Sequence, residues 1–306
     1  MPRVLAALLY ALAVVVARLP WRWLGALGDA IAARAVRRGS RESRITLRNL
    51  ELIQPDATPA QRESLRRDVL RVTARQALET LRFWTRPHAR NLEDIVEHRG
   101  AERLDAAIAA GRGVIVVAPH YGNWELLNQW LASRTPLAIL YAPPESAVGD
   151  AFLQRVRAAH GDASRVTQIR AEAAGARQLF KWLQGGGVVG ILPDQQPKQG
   201  DGEFAPFFGR PALTMSLLGR LASRTGAAVL IAWCERIGED ARGPRFALHV
   251  EPVDAAVADR DIATSVAALN GAIEQVARRD LAQYQWTYKR FSIQPDGTNP
   301  YWPDCY

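Results

Sequence analysis

The stretch Val114-Ile-Val-Val-Ala-Pro-His120-Tyr-Gly-Asn-Trp-Glu125 decides how the rest of the chain is read. It opens with a short, unbroken apolar run, which predicts a buried strand ending at Pro119. His120 follows at once, and a carboxylate comes five residues later, at the start of a helix-like segment. Two residues five apart on one helix are separated by roughly 500° of rotation, about 140° off a common face. The two side chains therefore meet only if His120 lies on the loop and Glu125 in the first helical turn. Gly122 supplies the turn between them. Asn123 fits the N-cap of the helix that continues through Leu131. Glu125 is then expected to accept a hydrogen bond from one ring nitrogen of His120, leaving the other nitrogen free to take a proton. The plainer alternative is a histidine that ends a strand and a glutamate placed favourably in a first helical turn.

Further along, strands and helices alternate. Strands are predicted at Val114 to Ala118, Leu137 to Tyr141, Val188 to Leu192, Ala228 to Trp233 and Phe246 to Val250. Helices are predicted at Trp124 to Ala132, Asp150 to Ala159, Glu172 to Leu183, Leu213 to Arg224 and Asp261 to Gln283. This order predicts an α/β fold: a mixed, largely parallel central sheet flanked by helices. Gly185-Gly-Gly187 reads as a helix-to-strand turn and not as a phosphate cradle, because no helix opens after it. The chain has no Walker or G-x-S-x-G sequence, and the G-x-G-x-x-G match at Gly185 to Gly190 runs into a strand and opens no helix, so nucleotide-fold and serine-hydrolase readings lose their usual marks. A second patch follows the Val188 strand, with Asp194 and Gln195 at the strand end, where α/β proteins place their sites. Phe204, Phe207 and Phe208 come next, flanked by Gly and Pro. They either border a channel for a greasy chain or tuck onto the core.

The chain has 306 residues, 48% hydrophobic and 23% charged, with a formal charge of +8. Of its 39 basic residues only Lys181, Lys198 and Lys289 are lysines. An arginine-rich basic surface attracts anions such as phospholipid headgroups and acidic proteins. Two distant cysteines, Cys234 and Cys305, argue against a disulfide framework or a Cys-based zinc site. Val4 to Ala17 carries no charge and lies between Arg3 and Arg18. It reads as a short membrane anchor, spanning or tilted into one leaflet, with a cleaved signal peptide and a buried core helix as rivals. The arginines that follow place the body of the protein on the cytoplasmic side. Trp21 to about Thr85 is predicted to be helical, basic and amphipathic. The expected organisation is an anchor helix at 1–20, a basic helical region at 21–90 packed on the body, and a catalytic domain at 91–306.

Together these patches resemble the late acyltransferases of bacterial lipid A biosynthesis, the lauroyl/myristoyl acyltransferase group within the lysophospholipid acyltransferase superfamily. The matching residues are His120 and Glu125 in PHYGNWE, the Asp194-Gln195 patch, Phe204 to Ala212, Ser223 to Ala227, and the closing run Gln283 to Phe291. Tyr288 departs from the pattern, since the family often carries a histidine there. The resemblance implies an acyltransferase in which His120 is the general base and Glu125 orients it. A hydroxyl would attack an acyl thioester directly. The resemblance also points to an oxyanion arginine after the second strand, either Arg155 or Arg157. Asp194, Gln195, Asn123, Phe207 and Phe208 complete the candidate substrate-side set.

The resemblance implies no metal and no cofactor. It implies acyl carrier protein, or acyl-CoA, as donor, and a lipid A precursor or other glycolipid as acceptor. It places the protein on an anionic membrane, the bacterial inner membrane, with its catalytic domain facing the cytoplasm. A thioester hydrolase using the same histidine and a phospholipid or aminolipid acyltransferase are the alternatives. Nucleic-acid binding lacks a recognition motif.

Overall fold

The computed structural model describes residues 2–141, 146–158 and 165–306. Its strands are β1 (Ile95–Arg99), β2 (Val114–Val117), β3 (Leu137–Tyr141), β4 (Val166–Arg170), β5 (Val188–Ile191), β6 (Gly202–Phe207), β7 (Arg210–Met215), β8 (Ala228–Asp240) and β9 (Gly243–Pro252). The Val114 run, β2, is the middle strand of a seven-stranded sheet ordered β1-β9-β8-β2-β5-β3-β4. Every neighbouring pair is parallel except β8 and β9. The predicted mixed, largely parallel α/β sheet is therefore present. All four β2 residues are buried. Val114 and Val116 belong to the core on one face, and Ile115 and Val117 to the core on the other. An unbroken apolar run suits a strand covered on both sides.

The helices are α1 (Pro2–Ala17), α2 (Trp21–Arg38), α3 (Arg41–Ile53), α4 (Pro59–Thr85), α5 (His88–Leu92), α6 (Ala101–Ala109), α7 (Trp124–Arg134), α8 (Ala147–Ala158), α9 (Ala173–Gln184), α10 (Leu217–Thr225) and α11 (Ile262–Ala277). Thr58 and Gln61 form a reciprocal capping box at the start of α4, with Pro59 in the first helical position.

Two predicted spans need correction. Residues 213–215 are not helical; they lie in β7, which pairs antiparallel with β6. Cross-strand pairing there overrides the apparent helical pattern. The two-residue turn of this hairpin is Phe208-Gly209, and both residues have positive φ, +50° and +72°. Phe208 is held in that rare conformation by an N–H bond to Glu274 and by the Arg278 guanidinium, 4.4 Å from its ring centroid. The last helix ends at Ala277, short of Gln283. Beyond it, Asp280 caps a separate 3-10 turn at Leu281–Gln283.

α1 packs on α4 and α8. Its alanines 6, 13 and 17 are buried, whereas Val4, Leu8, Leu12 and Val15 are exposed along one face. α1 and α2 meet at a 114° bend. Among the described residues no single helix is long and apolar enough to cross a membrane.

Candidate active site

β2 and β5 are adjacent and in register, with Val117 opposite Ile191. Val117-Ala-Pro-His120 and Ile191-Leu-Pro-Asp194 then run off the sheet side by side. His120 and Asp194 meet there. The backbone N–H of His120 donates to Asp194 Oδ2 at 2.7 Å, and its Nδ1 lies 2.7 Å from Oδ1. Asp194 is buried. Burial alone raises its pKa, but the His120 charge, ring and backbone bonds, with Arg290 beyond, outweigh this and hold the carboxyl below its ordinary range. With Nδ1 held against the carboxylate, Nε2 is the ring nitrogen turned to the pocket. Gln195 Nε2 lies 3.3 Å from His120 Nε2 and also donates to Gln285 Oε1 at 3.2 Å. The ring edge of Trp124 packs against the imidazole, 5.0 Å between centroids.

The His120 loop is wedged between β8 and the segment after α11. Gly122 donates to Gln283 O, Asn123 donates to Cys234 O, and Gln285 donates to His120 O. Gly122 has φ +57°, and a Cβ there would lie 2.0 Å from Cys234 O, so only glycine fits. The closing segment carries Tyr284, Gln285, Tyr288 and Arg290 to the pocket that His120 and Asp194 line. Burial first, then the Asp194 charge, pushes the Tyr284 hydroxyl well above its ordinary pKa. Tyr288, at the position that departs from the family pattern, accepts from the Gln196 N–H and donates to its carbonyl, which steadies the loop after Asp194. α3 holds this wall from behind. Asn49 donates to the carbonyls of Trp286 and Tyr288 and accepts from the Tyr301 hydroxyl, which itself takes the Phe291 N–H.

Where the sequence reading expected a bond from Glu125, the structure places Asp194 at Nδ1 and Gln195 at Nε2. Glu125 lies in the first turn of α7, half-buried. The physical reason for the Asp194 contact is register, since β5 ends beside β2 and delivers a carboxylate to the ring. Asn123 serves the fold, because its Oδ1 caps Leu126 N and its Nδ2 donates to Glu79. Phe207 and Phe208 are buried against Trp286, and Phe207 also packs on Tyr284, so they tuck onto the core behind the site wall. Arg155 is exposed and stacks over Tyr10 of α1. Arg157 lies on α8, and its side chain is outside the described residues. Tyr284, Gln285 and Arg290 were missed as site residues; the polar and aromatic closing run was their only signal. Among the described residues no cluster of His, Cys, Asp or Glu could hold a metal ion.

The carboxyl ends of the central parallel strands β2 and β5, where α/β sheets place their sites, thus present a carboxylate-held histidine. The profile of the bacterial lipid A biosynthesis acyltransferases matches residues 1–292, and the chain belongs to that family. It is similar to the lipid A biosynthesis lauroyltransferase of Escherichia coli (strain K12), 25% identical over 92% of this chain and 90% of the relative. It is 28% identical to the lipid A biosynthesis palmitoleoyltransferase of the same organism, over 92% and 88%. A phosphatidylinositol mannoside acyltransferase of Mycobacterium tuberculosis (strain CDC 1551 / Oshkosh) is 30% identical over 51% of this chain and 49% of its own length. The protein is an acyltransferase.

Proposed function

We propose that the protein moves a fatty acyl chain from an acyl thioester to a hydroxyl of a lipid A precursor or related glycolipid at a membrane surface, with His120 as general base. The observation that carries this reading is the imidazole pinned by Asp194 through Nδ1, with Nε2 turned to the pocket. The acceptor hydroxyl displaces Gln195 from Nε2 and gives up its proton there. Its oxygen attacks the thioester carbonyl carbon. The tetrahedral intermediate collapses, the C–S bond breaks, and the thiolate takes the proton back from Nε2. Asp194 stabilises the imidazolium while it lasts. Glu125 is the second carboxylate of the proposal, and Arg157 is the candidate for the oxyanion.

Acyl carrier protein, being acidic, suits a chain of formal charge +8 as donor. The exposed apolar face of α1 supports an anchor lying in one leaflet of the bacterial inner membrane, with residues 21–90 as a basic helical region beside the catalytic domain at 91–306. The test is an assay with acyl carrier protein thioesters of several chain lengths and a lipid A precursor, beside His120→Ala. Acylated lipid formed only with His120 intact supports the reading. Free fatty acid alone moves it to hydrolysis, and equal transfer by His120→Ala removes the base.

A further inference from the structure

Arg290 is the largest buried charge that this mechanism leaves unused. It is 2% exposed, yet among the described residues it makes no ion pair. Its guanidinium is instead held by neutral oxygens: Nη1 donates to Leu213 O, and Nη2 to Thr214 Oγ1 and Asn270 Oδ1. Among the described residues its Nε has no hydrogen-bond partner. Its guanidinium also lies over the Phe207 ring, 5.3 Å from the centroid. A desolvated cation without a counter-ion is strongly unfavourable. The anion that shares its pocket is Asp194. Each group biases the other: Asp194 helps Arg290 keep its proton against burial, and Arg290 helps Asp194 stay ionised.

We infer that Arg290 is a positioning residue: its buried guanidinium offsets the Asp194 carboxylate and so keeps the His120–Asp194 pair as carboxylate and neutral imidazole, the form a base needs. The inference rests on His120 being the general base. The other titratable groups around the pair support it. Tyr284 and Tyr288 on the closing segment and Tyr121 beside His120 are all pushed up, burial being the first cause, and stay neutral. Glu125 lies in the first turn of the neighbouring α7. Arg290 is thus the cation that balances the pocket. When the imidazole takes the acceptor's proton, the surplus positive charge appears as the negative oxyanion forms, so charge separation in the site stays small.

The test separates charge from hydrogen bonding. In the full chain, Arg290→Gln removes the charge, and Arg290→Lys keeps it while losing the fork of donors. The pH profile of kcat/KM is measured with a lauroyl thioester of acyl carrier protein and a lipid A precursor. Imidazole ¹⁵N spectra read the same protonation step without turnover. The expected result is an acid limb moved up by about one pH unit in Arg290→Gln and unmoved in Arg290→Lys.

If Arg290→Gln fails to fold, Asn270→Asp supplies Arg290 with its own carboxylate, and the limb moves up again. An unmoved limb in folded Arg290→Gln, or in Asn270→Asp, overturns the inference and leaves Arg290 as a packing cross-link. Retained transfer in His120→Ala would instead overturn the base reading itself.

Discussion

His120 and Asp194 occupy equivalent positions on neighbouring parallel strands. Each lies three residues past a register-paired residue, Val117 or Ile191, and each follows a proline. Adjacent strands run about 4.8 Å apart, and the side chains close that gap to 2.7 Å between Nδ1 and Oδ1. A one-residue slip of β5 would turn Asp194 to the other face and separate the pair.

Asp194→Asn keeps the shape and removes the charge on Nδ1. Transfer is expected to fall about 10⁴-fold, as when an orienting aspartate of a catalytic triad is replaced, with the thermal midpoint little changed. Glu125→Gln leaves the Nδ1 bond in place, so the imidazole ¹⁵N spectrum should keep the parent tautomer. A tautomer change in Glu125→Gln but not in Asp194→Asn would return the orienting role to Glu125.

Gly122→Ala is expected to be disruptive. Its Cβ would meet Cys234 O at 2.0 Å from a left-handed backbone. The conformation alone costs about 1–2 kcal/mol, and relieving the clash moves the His120 loop. Lower stability in urea and loss of transfer are expected together; a variant as active and stable as the parent would refute the wedge.

A pH-dependent stability should come from Glu235. Its Oε2 lies 3.0 Å from His249 Nε2 and 3.1 Å from Arg279, and its Oε1 accepts from the Tyr121 hydroxyl. The His249 contact is the largest cause that lowers its pKa to about 2. A depressed carboxylate stabilises the fold above its unfolded value, about 4.3, and that stability is lost as pH falls toward the folded value. Urea midpoints of the parent should drop between about pH 4.3 and 2, and Glu235→Gln should flatten that drop.

Leu8 and Leu12 are 63% and 59% exposed on one face of α1. Leu8→Glu with Leu12→Glu is expected to release the protein from anionic vesicles in a sedimentation assay while leaving its thermal midpoint within a degree or two, because exposed substitutions alter stability by about 0.5 kcal/mol or less. Undiminished vesicle binding would count against the leaflet-bound helix.

Strands with strong apolar runs were legible in advance, because burial on both faces leaves an unbroken signature, as at Val114 and Val188. β4, with burial of Ile169 alone, and the β6–β7 hairpin were not. The former is an edge strand with weak patterning, and the latter forms through cross-strand pairing.

The sequence by itself determined the α/β class, the loop position of His120, the cap at Asn123 and the apolar N-terminal helix, since each follows from local periodicity, turn chemistry or a fixed backbone requirement. Tertiary structure alone decided the partner of His120. Asp194, 74 residues away, reaches the ring through strand register, which no local spacing foretells. The same holds for Arg290, 170 positions from His120 in the sequence, which reaches the pocket on a closing segment held by α3, by Tyr301 and by the His120 loop itself. Local sequence limits what a backbone can do, but which charges share one desolvated space is set by long-range packing.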